Sequence, residues 1–296
     1  MADIAMTAGE LRQRLGRYGI FAGPPSRLGI DPAVLATRIE RAGFTSAWIG
    51  GGNPTPQALD VLATMLAATE QLVVATGIAN IWAWEPAAIG AAASALADRF
   101  PGRFILGLGV SHHTRVTELG YSYERPYSKM ARFLDEMDAG DLPPVVLAAL
   151  GPKMLALSAQ RTLGAHPYFT PPAHTARARS ILGAGPLLVP EIAGSLASGD
   201  AGLAAVRGYA RHYLQLPNYV NNLRRLGYTD ADVTGDGSDL LLSAVTPHGT
   251  PELAAGVKAH LDAGADHVVI QPLAGGGTFA LDDLPALAEA VADLRR

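Results

Sequence analysis

A strand–helix–strand unit at residues 72–113 constrains the fold more than any other part of the chain. Residues 72–79 and 103–109 are apolar runs, and such runs are typical of parallel strands buried on both faces. Pro86 lies between them at a position that suits the first turn of a helix, and residues 87–96 are alanine-rich and uncharged. The unit therefore predicts two parallel strands joined by a crossover helix that is covered on both sides.

Glycine and polar residues follow both of these predicted strands. The carboxyl ends of parallel strands meet at one rim, where α/β proteins bind their ligands. A ligand site is therefore expected there, although a barrel turn that merely uses small residues is the alternative for the glycines. The residues concerned are Gly77, Asn80 and Trp82 after the first strand, and Gly107, Gly109, Ser111, His112 and His113 around the end of the second.

Apolar runs and helical patterns alternate along the rest of the chain. Eight strands, each followed by a helix, predict a (β/α)8 TIM barrel, and the lack of a low-complexity linker predicts one domain over residues 1–296. Residues 199–227 carry two helical patterns broken at Pro217 and are expected to be an insertion after strand seven, while residues 114–125 are expected to be irregular. The predicted strands are residues 17–22, 44–50, 72–79, 103–109, 144–150, 164–169, 186–192 and 267–272.

Composition narrows the class of partner. A hydrophobic fraction of 49% with 17% charged residues indicates a large core, and a net charge of −4 provides no electrostatic footprint for nucleic acid. No apolar run approaches the roughly 20 residues that cross a membrane, and the first residues lack the layout of a signal peptide. The absence of cysteine excludes disulfides. We therefore expect a cytoplasmic protein that acts on a small molecule.

Predicted strands five and six lead into helix starts that suit an anion. A helix N-terminus with a nearby cation is a natural anion site. Thr170 lies at the second of these helix starts, after predicted strand six, although two prolines remove amide donors there. The first of these starts contains Ala149, Leu150, Gly151 and Lys153, and a solvated lysine that contacts nothing is the alternative for Lys153.

Adjacent histidines at 112 and 113 are the clearest candidates for acid–base chemistry. Their side chains cannot both point into one site if the chain is extended, so one is expected to face the rim, and a surface histidine is the alternative. The other six histidines are scattered, so we expect no metal site. The chain contains no Gly-x-Ser-x-Gly motif and no cysteine nucleophile, so hydrolysis by a triad has no support.

Six segments resemble the luciferase-like monooxygenase superfamily of flavin and deazaflavin oxidoreductases, especially the actinobacterial branch predicted to use coenzyme F420. They are GFTSAWIG, LVVATGIANIWAWEPAAIGAAASALADRFPGRFILGLGV, RPYSKMARFLDEM, VVLAALGPKMLALSAQRTLGAHPYFTPP, LQLPNYVNNLRRLGY and GTPELAAGVKAHLDAGADHVVIQPL. The resemblance covers nearly all of the chain from Tyr18 onward. The GR-x-x-LGLG end of the second segment is its most specific part.

The resemblance implies a flat isoalloxazine-like ring across the barrel mouth, with its tail phosphate held by the loops of strands five and six. It also implies a non-prolyl cis peptide in strand three, which would fall at Gly77–Ile78. The implied cofactor-binding residues are Gly77, Ile78, Asn80, Gly107, Gly109, Ser111, Ala149, Leu150, Gly151, Lys153 and Thr170.

Two positions depart from the pattern that the resemblance implies. Deazaflavin dehydrogenases of this family place an acid–histidine pair at the end of strand two, where this chain has Gly50, Gly51 and Gly52. They place a glutamate after the glycines of strand four, where this chain has His112. His112 is therefore the one obvious replacement acid or base.

The first functional hypothesis is an F420-dependent oxidoreductase that transfers a hydride between the deazaflavin and a small organic substrate. The alternatives are an FMN-dependent monooxygenase on the same scaffold and a degenerate barrel without redox turnover, which the triple glycine keeps open. Relatives commonly form dimers through early barrel helices, so we expect a homodimer in which the alanine-rich helix at 86–97 approaches its partner. Burial of that helix within its own subunit is the alternative.

Overall fold

The computed structural model describes residues 6–51, 57–137 and 142–295. Its strands are β1 Tyr18–Ala22, β2 Ser46–Ile49, β3 Val73–Thr76, β4 Ala79–Asn80, β5 Phe104–Gly109, β6 Val145–Leu147, β7 Gly164–Ala165, β8 Leu187–Leu188, β9 Glu191–Gly194, β10 Val268–Ala274 and β11 Thr278–Phe279. Its helices are α1 Ala8–Leu15, α2 Pro25–Leu28, α3 Pro32–Arg41, α4 Gln57–Ala67, α5 Pro86–Arg99, α6 His113–Glu118, α7 Pro126–Met137, α8 Pro152–Arg161, α9 Pro172–Leu182, α10 Gly199–Tyr213, α11 Pro217–Arg225, α12 Asp230–Val233, α13 Asp239–Val245, α14 Thr250–Asp262 and α15 Leu284–Ala290.

The parallel strands close into a barrel through a strand that is interrupted in its middle. β1 pairs with β2 on one side and with β10 on the other, and the ladder continues through β3, β5, β6 and β7. β8 pairs with β7, whereas β9 pairs with β10, so the two halves of strand seven complete the ring. Pro190 lies between the halves, and a proline cannot donate to a ladder. The predicted (β/α)8 TIM barrel is confirmed.

Side chains fill the interior of the barrel. Phe21, Trp48, Ile105, Val146 and Val269 form one buried cluster with Leu11 and Leu15 of α1. Such layers make the inside of a barrel a packed core and not a pore. A ligand of this protein must therefore bind at a rim.

The insertion after strand seven covers part of the rim at the carboxyl ends of the strands. α10 and α11 are the two helices expected from the pattern broken at Pro217. Their buried side chains form a second cluster with Phe169 after β7 and with Leu273 of β10. This packing brings the insertion to the end of the barrel where ligands of this fold bind.

Three expectations require correction. Residues 114–125 are not entirely irregular, because α6 occupies His113–Glu118. Strands five and six are shorter than predicted, since β6 ends at Leu147 and β7 ends at Ala165. α5 is not covered on both sides within this chain, because Ala87, Ala88, Ala91 and Ala95 are exposed. None of the helices in the described ranges is long and apolar enough to span a membrane.

Candidate active site

The ends of strands three and four are packed directly against each other at the barrel mouth. The peptide bond between Gly77 and Ile78 is cis, as the family resemblance implied, and both residues are half-buried. A Cβ atom on Gly109 would lie 2.6 Å from Cγ1 of Ile78, and one on Gly107 would collide with the Thr76 carbonyl oxygen. Because the neighbouring strand already fills these positions, the two glycines are needed for strand packing. The side chain of Ile78 lies against Gly109 and stays half-buried.

The aromatic ring of Phe21 explains why strand two ends in glycines. A Cβ atom on Gly50 would lie 2.8 Å from Cζ of Phe21, and one on Gly77 would lie 2.7 Å from Cε2 of the same ring. A Cβ on Gly51 would lie 2.9 Å from Cγ of Pro24. An acid–histidine pair therefore does not fit at Gly50 and Gly51 while Phe21 and Pro24 keep these positions. Gly52 lies outside the described residues.

His112 contacts the insertion through the ring of Tyr219. It precedes α6 in an extended conformation, and its ring centroid lies 5.5 Å from that of Tyr219 in α11. Burial lowers the pKa of His112, although Asn218 opposes this effect. Its Nδ1 atom is buried without a hydrogen-bond partner. A neutral His112 with a free ring nitrogen is suited to accept a proton.

The loops after strands three and four are tied together beside His112. The Asn80 side chain accepts a bond from the Trp82 backbone N–H at 3.2 Å, while its own Nδ2 is buried without a partner. The Trp82 indole N–H donates to the Val110 carbonyl at 2.9 Å. Ser111 has a φ of 57°, a conformation that non-glycine residues adopt rarely and that often marks a functional site. These contacts fix the wall of the mouth on this side.

The loops after strands five and six bring polar groups together at the starts of α8 and α9. Thr170 is fully buried and its Oγ1 atom has no hydrogen-bond partner. The side chain of His174 contacts the Leu150 carbonyl at 2.9 Å and so joins the two loops. A Cβ on Gly151, which precedes α8, would meet no atom within 4 Å, so space is open there. Lys153 is exposed on the first turn of α8.

Tyrosines from the insertion pack against Tyr168 from the loop after β7. The hydroxyl of Tyr168 lies 2.9 Å from that of Tyr213 and donates to Oε1 of Gln271 at 3.0 Å. The ring of Tyr213 lies 4.7 Å from that of Tyr209 and 5.3 Å from that of Tyr219. Burial is the main cause that raises the pKa values of all four tyrosines, so these hydroxyls are protonated at neutral pH.

Glu191 at the start of β9 is the functional candidate that sequence reasoning missed. It is 1% exposed, and its two carboxyl oxygens accept bonds from the Tyr209 hydroxyl at 3.0 Å and from the Phe169 N–H at 3.2 Å. Burial raises the pKa of Glu191 to about 8, although both hydrogen bonds act against this rise. The available signal was a glutamate inside the apolar run VPEIAG, because glutamate is almost never fully buried unless it is paired.

The predicted residues thus lie in two groups around the mouth. Gly77, Ile78, Asn80, Gly107, Gly109, Ser111 and His112 belong to the loops of strands three and four, and Ala149, Leu150, Gly151, Lys153 and Thr170 belong to those of strands five and six. β5 and β6 are neighbours in the barrel, so the groups adjoin. No cluster of three or more metal-ligating side chains occurs in the described part of the chain.

Comparison with known proteins agrees with this architecture. Residues 31–140 match the family model of the luciferase-like monooxygenases. An F420-dependent secondary alcohol dehydrogenase, solved with an F420–acetone adduct, is 15% identical with a TM-score of 0.70, and the match covers 93% of this chain and 99% of that chain. The coenzyme F420-dependent tetrahydromethanopterin reductase of Methanopyrus kandleri is 14% identical with a TM-score of 0.72, over 95% and 99% of the two chains.

A flavin enzyme also shares the fold. The oxygenating constituent of 3,6-diketocamphane monooxygenase from Pseudomonas putida, solved with FMN, is 12% identical with a TM-score of 0.66, over 94% of this chain and 98% of that chain. At such identities the likeness of the structures speaks for the fold and leaves the cofactor open. The chain is thus similar to the luciferase-like monooxygenases over residues 31–140 and shares their barrel fold over almost its whole length.

Proposed function

We propose that this protein is an F420-dependent oxidoreductase that transfers a hydride between the deazaflavin and a small organic substrate. The observation that carries the proposal is the buried, unpartnered hydroxyl of Thr170 in the loop after β7, which the His174–Leu150 contact joins to the loop after β6. The half-buried Ile78 and Ala148 both lie against Gly109, where an added Cβ would be 2.6 Å from Cγ1 of Ile78 and 3.1 Å from Cβ of Ala148. An apolar face next to a polar pocket fits a flat ring with a phosphate-bearing tail.

The residues of the mouth fit such a cofactor at both ends. Ile78 and Ala148 would support one face of the ring, because both expose apolar surface at the mouth. The Thr170 hydroxyl and the amides that open α8 and α9 would bind the phosphate, since helix N-termini attract anions. Pro152 and Pro172 have no backbone N–H to donate, so the Thr170 hydroxyl would provide a larger share of the hydrogen bonds to the phosphate.

When it is bound, the deazaflavin supplies a carbon that accepts or releases a hydride, and the protein supplies position and proton transfer. His112, which directly precedes α6 after strand four, is the predicted group that would hold a proton. The aromatic residues of α10 and α11 cover part of the mouth and keep water away from it. Because the cofactor would carry the hydride and His112 the proton, the proposed reaction does not require the protein to bind a metal ion.

Cofactor titration tests the proposal directly. The purified protein is titrated separately with F420 and with FMN, and binding is followed by fluorescence. We expect F420 to bind, and we expect the T170V variant to bind it about tenfold more weakly, because a hydrogen bond to a charged group contributes about 1.5–3 kcal/mol. T246V is the matched control, since Thr246 is also fully buried with an unpartnered hydroxyl but lies at the end of α13.

The outcomes of this titration separate the three functional hypotheses. Binding of FMN together with oxygen uptake would assign the chain to the monooxygenases instead. A folded protein that binds neither cofactor would favour the degenerate barrel. Equal affinities of T170V and the unchanged protein would remove Thr170 from the phosphate pocket.

We also propose that the protein acts in the cytoplasm as a homodimer. α5 presents the uncharged alanines Ala87, Ala88, Ala91 and Ala95 on its outer face, where a second subunit can approach closely. Sedimentation tests this directly: an A91E variant should become monomeric if α5 lies at the interface, and a monomeric parent protein contradicts the proposal.

A further inference from the structure

We propose that Glu191, Tyr209, Tyr168 and Tyr213 form a proton relay in the barrel mouth, and that the Tyr168 hydroxyl gives the proton to the substrate. This inference rests on the proposed redox function. It assigns the reducing direction of the reaction to residues other than His112. Each of the four residues projects toward the same end of the barrel from β9, from α10 or from the loop after β7.

The hydroxyl and carboxyl groups of the relay are connected. The Tyr209 hydroxyl contacts Glu191 at 3.0 Å, and it also interacts with the hydroxyls of Tyr168 and Tyr213. Tyr168 and Tyr213 lie 2.9 Å apart, and either can be the donor of that bond. At rest the Tyr168 hydroxyl donates to Gln271 at 3.0 Å, and this bond breaks when the proton passes to the substrate. Proton transfer requires heavy-atom distances of about 2.6–3.2 Å, which the Glu191–Tyr209 contact satisfies at 3.0 Å and the Tyr168–Tyr213 contact at 2.9 Å.

The solvent exposure of the residues increases along the relay from Glu191 to Tyr168 and Tyr213. Glu191 is 1% exposed and Tyr209 is 5% exposed, whereas Tyr168 and Tyr213 are half-buried. The ring of Tyr168 packs against Phe21, whose own ring fills the space between Gly50 and Gly77. The relay therefore runs from a buried carboxyl to hydroxyls that border the space proposed for the cofactor ring.

The groups that face Glu191 are neutral, so the carboxyl retains its proton near neutral pH. They are Tyr168, Tyr209, Tyr213, Tyr219 and the backbone amide of Phe169. The positive charge of Arg27 opposes the rise in the pKa of Tyr213, and Arg27 is not among the groups that face Glu191. The burial that raises the pKa of Glu191 keeps it protonated, while its two donors make the anion tolerable after the proton leaves. A group with these two properties can release and regain a proton near neutral pH.

The relay supplies the proton that the reduction of a carbonyl substrate by hydride requires. With a reduced deazaflavin bound, a carbonyl substrate would gain a hydride at carbon, its π-bond electrons would move to oxygen, and that oxygen would take the proton of Tyr168. Tyr168 regains a proton from Glu191 through Tyr209, and Glu191 is left as a carboxylate until water restores its proton. The substrate class that this relay fits is therefore a ketone or aldehyde, which leaves as an alcohol.

A purely structural role is the alternative for Glu191. Its carboxyl accepts from the N–H of Phe169, which has a φ of 53°, and could simply hold that turn. The E191Q variant separates the two roles, because glutamine keeps an acceptor for Phe169 and a hydrogen-bonding group for Tyr209 but carries no transferable proton. Tyr228 offers a matched control for the tyrosines, since it is a half-buried tyrosine just beyond α11 and outside the relay.

The test combines infrared titration of the cofactor-free protein with kinetics of the protein loaded with F420. We expect a protonated carboxyl band at pH 7 that disappears as the pH passes about 8 and that is missing in E191Q. We expect E191Q and Y168F to reduce carbonyl substrates about a hundredfold more slowly at unchanged F420 affinity, and E191Q to lose the pH dependence near 8. Y228F should keep the rate of the unchanged protein.

The possible failures are distinguishable. Full activity of E191Q or Y168F with an unchanged pH profile overturns the relay while the redox function stands. Absence of the carboxyl band in the unchanged protein at pH 7 also overturns it. Absence of any redox turnover overturns the proposed function, whatever the infrared result. If E191Q does not fold, Y168F and Y209F decide the matter, since loss of rate in both supports the relay and full rate in either rejects it.

Discussion

The buried carboxyl of Glu191 should make the stability of this protein depend on pH in a way that one substitution removes. The pKa of Glu191 is about 8 in the folded protein, against an ordinary value of 4.5. The unfolded chain is ionised above pH 4.5, while the folded protein keeps the proton until about pH 8. Rising pH therefore favours unfolding throughout this window. The stabilisation is complete below pH 4.5 and lost by pH 8.

The magnitude follows from the size of the pKa shift. Each pH unit inside the window lowers the free energy of unfolding by about 1.4 kcal/mol, so the whole window corresponds to about 5 kcal/mol. Buried histidines act in the opposite sense at lower pH: burial lowers the pKa of His166 and His267 to about 4, so their contribution is present above pH 6.5 and lost as the pH falls toward 4. Above pH 6.5, the change of unfolding free energy with pH that Glu191 causes is therefore separate from the contribution of these two histidines.

Urea unfolding of the unchanged protein and of E191Q at pH 6, 7, 8 and 9 measures this effect. Fluorescence of Trp48 is a suitable signal, because this residue is fully buried inside the barrel. The difference in unfolding free energy between the two proteins should change by about 3 kcal/mol from pH 6 to pH 9, with E191Q gaining relative to the parent. E70Q, which changes an exposed glutamate, is the control. A difference that stays constant within about 0.5 kcal/mol across this range would refute the reasoning.

Two further substitutions test other parts of the site. H112A should lower turnover by about a hundredfold and leave F420 affinity near that of the parent protein in a fluorescence titration, and unchanged turnover would remove His112 from the mechanism. G50A should lower the free energy of unfolding by about 1–3 kcal/mol in urea, because the added Cβ would lie 2.8 Å from the Phe21 ring. Combining G50A with F21L should recover part of that loss, and a loss that F21L leaves unchanged would show that the ring is not the obstacle.

The barrel was predictable from sequence because its strands are buried on both faces. Runs such as residues 103–109 carry no alternation, and the Asp31–Pro32 pair marks a helix start, which the structure confirms through bonds from Ala33 and Val34 to the Asp31 carboxylate. The ends of the strands were less predictable. Strand six leaves the ladder at His166, because tertiary packing and not local propensity decides where pairing stops.

The candidate site was predictable only where its residues lie next to recognisable strand ends. Gly77 and Thr170 belong to such ends, whereas Tyr209 and Tyr213 lie in an insertion whose helical pattern says nothing about what it covers. Glu191 lay inside a predicted strand, and its inward direction depends on the break at Pro190, which the apolar pattern does not reveal. The reason for Gly50 was equally hidden, because it depends on a ring from another strand.

Burial shifts the pKa values of His112 and Glu191, the two titratable groups at the mouth, in opposite directions. Burial lowers the pKa of His112, so the imidazole is neutral near pH 7 and can accept a proton. Burial raises the pKa of Glu191, so the carboxyl is protonated near pH 7 and can donate one. Environments that separate pKa values in this way are how one site carries both an acid and a base. H112A should therefore slow substrate oxidation more than reduction, whereas E191Q should slow reduction more than oxidation, and equal effects in both directions would contradict this assignment.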